Sequence, residues 1–96
     1  MSSFRNAITT YSLRTLLSEL MSQRPKVGIR FRMLGELWRP NFMHIVKLTD
    51  RGAIFNDEAT QEFVFVPDLT DVVQFEVDVR FQELQPHFHY EVNPNQ

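Results

Sequence analysis

The hydrophobic period of this chain changes at Pro25, and that change limits the folds open to it. Upstream, Leu13, Leu16, Leu17, Leu20 and Met21 follow the three-and-four spacing that lays one apolar stripe along a helix. Downstream the spacing becomes two. Val27, Ile29, Phe31 and Met33 alternate with Gly28, Arg30, Arg32 and Leu34, the pattern of a strand with one buried and one wetted face. Pro25 carries no amide hydrogen and pushes Arg24 toward extended backbone, so the helix stops before it. A helix is therefore expected over 11–23, with Thr10 or Ser12 as its N-cap. Phe4, Ile8 and Tyr11 occupy a different angular sector from the leucines, so residues 1–10 are expected to form an arm rather than more helix.

Alternating segments then recur. A strand is expected over 42–49, after a break at Arg39-Pro40-Asn41. Asp50-Arg51-Gly52 closes a hairpin into Ala53-Ile54-Phe55, with Gly52 at positive φ. Another strand covers 62–66 and ends at Pro67-Asp68. The clearest alternation sets Val73, Phe75, Val77, Val79 and Phe81 against Gln74, Glu76, Asp78, Arg80 and Gln82. A strand over 72–84 would reach about 43 Å at roughly 3.3 Å per residue. It must coil around a barrel or project to pair with another chain. Phe88, Tyr90 and Val92 make a last strand before a flexible tail, 93–96.

These elements predict one α+β domain over 1–96: an N-terminal helix packed on a strongly bent antiparallel sheet, or small barrel, of about five strands within 26–92. The leucines of the helix would pack on Val27, Ile29, Phe31, Val73, Phe75, Val77 and Val79. The order of one helix and five strands is similar to that of Sm-like and other SH3-like small barrels. That resemblance is one of element order, and element order alone implies no function.

Charge is divided along the chain. Residues 1–47 hold eight Lys and Arg against Glu19 and Glu36, whereas residues 48–96 hold Arg51 and Arg80 against ten carboxylates. Such a chain either presents two opposed electrostatic surfaces or neutralises itself across one sheet. If the first and last long strands are neighbours, Arg30 and Arg32 face Glu76 and Asp78 across the ladder. The chain has no cysteine, which excludes disulfides, thiolate metal sites and cysteine nucleophiles. With no long apolar run and a polar start, a cytoplasmic protein without a membrane segment is expected.

Catalysis has little support. No serine sits in a Gly-x-Ser-x-Gly elbow, and three glycines in the whole chain leave no phosphate-cradling loop. Asp57-Glu58 falls in an expected turn, and Glu76 and Asp78 on a wetted strand face. The chain is accordingly read as no enzyme and as requiring no cofactor. His87 and His89, two residues apart on a strand, share a face and could bind a metal with Glu91 or His44, but a site needs three or four ligands. Arg30, Arg32, Trp38, Arg39 and Lys47 interleave cations with an aromatic ring, as nucleic-acid-binding small barrels do. The leading expectation is a non-catalytic protein-interaction or assembly module, self-associating, with contacts through Leu34, Leu37 and Trp38 and through Val79 and Phe81 on the long strand. Nucleic-acid binding through the basic and aromatic stripe is the alternative, and metal binding at His87 and His89 the third.

Overall fold

The structure is a computed structural model, and it describes residues 5–22, 27–79 and 87–93. In chain order the elements are β1 (Arg5–Thr9), α1 (Thr10–Met21), β2 (Val27–Met33), β3 (Met43–Leu48), β4 (Ala53–Asp57), β5 (Glu62–Val66), a 3-10 turn (Leu69–Asp71), β6 (Val72–Val79) and β7 (His87–Asn93). The seven strands form one sheet in the order β1-β7-β6-β2-β3-β4-β5. β1 pairs with β7 in parallel and every other neighbouring pair is antiparallel.

The α+β reading holds, but the sheet is open rather than closed into a barrel. It is mixed, and it has more strands than the five expected. The additional parallel strand is β1, in the segment expected to be an arm. Five residues are too few to show a period, and the partner lies at the far end of the sequence, with Arg5 opposite His89 and Thr9 opposite Asn93. The strand expected over 72–84 runs as β6 to Val79, and residues 80–86 lie outside the described part. β6 has β2 on one side and β7 on the other, so its described length is interior rather than a free edge.

Because β1 runs into α1 without a break, the helix is capped one residue earlier than expected. Thr9, not Thr10 or Ser12, is the N-cap: its backbone is extended and its hydroxyl accepts from the Ser12 amide at 3.0 Å. At the other end, the Ser22 hydroxyl donates to the Glu19 carbonyl at 2.7 Å. Leu13, Leu17 and Leu20 are buried and Leu16 partly so, in one core with Ile29, Phe31, Met43, Ile45, Phe55, Phe75 and Val77. Phe31 and Phe55 meet with ring centroids 4.9 Å apart, and Phe75 stacks on Tyr90 at 4.5 Å. Val72, rather than the expected Val73, faces inward, because the β2–β6 register shifts between Arg32 and Met33.

A single register pair, Ile29 with Met43, joins β2 to β3, and β3 carries a bulge between Ile45 and Lys47. Sparse pairing and bulges let the sheet bend sharply here. Helix α1 spans the bend, touching β1 and β7 on one side and β3 and the 3-10 turn on the other. Among the described residues no helix is long and apolar enough to cross a membrane.

Gly52 has a different role from the one expected. Its φ is not positive; the only glycine with positive φ among the described residues is Gly35, at 78°. What Gly52 supplies is closeness. A Cβ there would stand 1.7 Å from the Val66 carbonyl oxygen and 2.7 Å from Pro67, so only glycine lets the β3–β4 turn lie against the end of β5. Gly52→Ala should destabilise the fold by about 3 kcal/mol or more through this overlap. Leu17→Ala should cost about 2–5 kcal/mol, as for other buried leucines. Both are read from denaturant unfolding; wild-type stability in either variant would contradict this packing.

Candidate interaction surface

The β2–β6 ladder decides where the charges go. Arg30 stands opposite Glu76 and Arg32 opposite Gln74. The Arg30 Nε donates to Glu76 Oε1 at 2.7 Å, in a part-buried pair. Its guanidinium also lies 5.5 Å from the Trp38 ring centroid and 5.0 Å from that of Phe42, within the range of cation–π attraction. Arg32 Nε donates to Gln74 Oε1 at 2.7 Å, and Gln74 Nε2 donates onward to Glu91 Oε2 at 2.8 Å. The amide thus links a β2 cation to a β7 carboxylate across β6. Asp78, expected to face Arg32, stands opposite Gly28 instead.

At the centre of the basic stripe Arg30 is thus ion-paired and Arg32 is hydrogen-bonded to a neutral amide. Arg30 and Arg32 are held by β6, and the half-buried Trp38 has Arg30 over its ring. Arg39 is half-buried, its amide donating to the Phe31 carbonyl at 3.2 Å. Lys47 is exposed on β3, where it shares an open groove with Arg14 and Arg51. Sequence reasoning could not join those three, because they come from α1, β3 and the β3–β4 turn.

The expected metal ligands are placed only by backbone. His87 stands opposite Asp78 and His89 opposite Glu76; their side chains lie outside the described part. His44 lies on β3, separated from β7 by β2 and β6. It pairs instead with Glu58, Nδ1 to Oε2 at 3.1 Å, and is buried. Among the described residues no group of three or more His, Asp or Glu is arranged to hold a metal. Asp57, expected in a turn, ends β4, is buried and accepts from the Ala59 amide at 3.0 Å and from Asn41 at 3.3 Å. It organises the β4–β5 turn.

Exposed apolar groups fall at two places. Leu34 and Leu37 are 71% and 90% exposed on the β2–β3 loop, which is pinned by Leu34 N–H to the Asp71 carbonyl at 2.8 Å and Glu36 N–H to the Met33 carbonyl at 3.0 Å. The second place is β5, where Phe63 and Phe65 are 69% and 59% exposed. Among the described residues β5 is the last strand of the sheet. Its Val64 and Val66 lie opposite the buried Phe55 and Ala53, and its phenylalanines opposite Asn56 and Ile54 on the outer face. Of the other contact residues expected, Phe81 lies outside the described part, as does the side chain of Val79. Phe63 and Phe65 were legible only as a strand, because strand order alone makes β5 an edge.

The Arg30–Glu76 pair should show direct coupling. A double-mutant cycle with Arg30→Gln and Glu76→Gln should give an interaction of about 1 kcal/mol, reduced by salt as a part-exposed pair requires. Additive single effects would contradict the pairing. No family model matches the chain, and no curated protein or solved structure matches it.

Proposed function

We propose that this chain is a non-catalytic assembly module that pairs with a second copy of itself along β5. The carrying observation is that two large apolar side chains, Phe63 and Phe65, stand exposed on the strand that ends the sheet. An edge strand offers unpaired amide and carbonyl groups to any incoming strand, and soluble proteins blunt such edges with lysine, proline or a bulge. Glu62–Val66 contains neither lysine nor proline, and its pairing with β4 runs without a register shift.

The strand's pattern also suits its own copy. In an antiparallel pair with the two-fold axis through Val64, position 63 of one chain meets position 65 of the other. The outer face then carries two Phe–Phe pairs, each contributing about 0.2–1 kcal/mol. Glu62 meets Val66 rather than another Glu62, so no like charges oppose. Five residues per chain make a small contact, in the weak and reversible class of interfaces. Leu34 and Leu37 extend the exposed apolar surface available to other protein partners.

The wild type should gain mass with concentration in light scattering. Phe63→Lys or Phe65→Glu alone should hold it monomeric, and the two together should restore association, because the two-fold register sets position 63 against position 65. A wild type that stays monomeric at millimolar concentration would refute the proposal. A double variant no better than the singles would refute the register.

A further inference from the structure

We propose that the groove between α1 and the β3–β4 turn binds the phosphate of a nucleotide, with Tyr11 receiving the base. Arg14, Lys47 and Arg51 line one open groove of about 710 Å³, where Asp50 is the only carboxylate. Among the described residues neither Lys47 nor Arg51 has a carboxylate partner within 4 Å. Three cations against one acid leave the groove positive, and with Asp68 of the adjoining concavity counted the balance is still 3 − 2 = +1, although the chain as a whole carries a charge of −2. Two guanidinium groups and an ammonium converging on one space fit the several oxygens of a phosphate.

The scaffold is fixed. Arg14 Nη2 donates to the Thr49 carbonyl, the Gly52 amide donates to Thr49 Oγ1 at 2.9 Å, and the Leu69 amide donates to the Arg51 carbonyl at 2.8 Å. Arg14 Nη1, by contrast, is buried and lacks a hydrogen-bond partner. An unmet buried donor costs about 1–3 kcal/mol. An acceptor bound beside Arg14 is what this unmet donor lacks.

A second concavity of about 290 Å³ adjoins the first and shares Arg14, Asp50 and Arg51 with it. Its wall includes Tyr11, a residue 78% exposed, and Thr10, whose buried hydroxyl also lacks a partner. Asp68 lies there too. Hydrogen bonds from the Thr70 amide and hydroxyl, helped by nearby Arg51, hold its carboxyl below the ordinary value of 3.8. It is ionised at neutral pH and offers an acceptor for base or ribose hydroxyl groups rather than for phosphate. A cationic groove beside an exposed aromatic ring and polar acceptors is the chemistry that receives phosphate, base and sugar together.

The test is titration of the whole chain, followed by amide chemical shifts, with inorganic phosphate, glucose 6-phosphate, AMP and a ten-residue oligothymidylate. Phosphate and both monoesters should shift residues 47–52 saturably, with AMP the tightest of the three. Lys47→Gln combined with Arg51→Gln should weaken all of them by about tenfold or more. Tyr11→Ala should weaken AMP by about fivefold or more and leave glucose 6-phosphate unchanged. All three substituted side chains line open surface, and their unchanged spectra report intact folding. Tighter, steeply salt-dependent binding of the oligothymidylate would assign the nucleotide to a strand; equal binding would assign it to the free form. Absence of saturable shifts with every probe, or shifts unaffected by the Lys47 and Arg51 changes, would overturn the proposal. Equal affinity for AMP and glucose 6-phosphate would overturn the role of Tyr11.

Discussion

The fold depends on the antiparallel ladder between β2 and β6. Their paired residues lie from 72 − 33 = 39 to 79 − 27 = 52 positions apart in sequence, and the register sets Phe31 beside Phe75 inward and Arg30 beside Glu76 outward. A one-residue slip would reverse both faces together, burying the charges and exposing the phenylalanines. Burial of Ile29, Phe31, Phe75 and Val77 thus specifies the same register as the ion pair. Of the two, apolar burial carries the energy, at about 1.5–3 kcal/mol for each large side chain. The part-exposed pair contributes less and selects the partner.

That ladder also determines what the surface offers. It sets part of the basic first half of the chain against the acidic second half, with Arg30 paired to Glu76. Arg30 pairs with Glu76 across β2 and β6, and Arg32 reaches Glu91 on β7 through Gln74. Three other cations, Arg14, Lys47 and Arg51, gather at the β3–β4 turn, which Gly52 lets sit against Val66 and Pro67. With β6 and β2 in the centre, the sheet must end elsewhere, and one of its ends is β5 with its two exposed phenylalanines.

Much of the local structure was legible from pattern. The leucine stripe marked α1 to within two residues, and alternation marked β2, β3, β5 and β7, because each shows its period within its own few residues. Arg30 opposite Glu76 was legible as well, since only strand adjacency had to be supposed. What escaped depends on distance in sequence or on packing. β1 is too short to show a period and pairs with the last strand. Gly52 is required by a contact with Val66, which no neighbouring residue reveals. The same holds for the surfaces: Leu34 and Leu37 could be read from the failure of alternation, whereas Phe63 and Phe65 gain meaning only once strand order makes β5 an edge.

Native-state amide hydrogen exchange tests this organisation most directly, because protection follows the free energy of local opening. If β2 and β6 are the centre on which the rest depends, the amides of β6, paired on both sides, exchange slowest. Protection then falls through β7 and β3 toward β1 and β5. Slowest exchange in β4 and β5, with β6 opening well below the global unfolding free energy, would contradict the account and move the centre of the fold to the other half of the sheet.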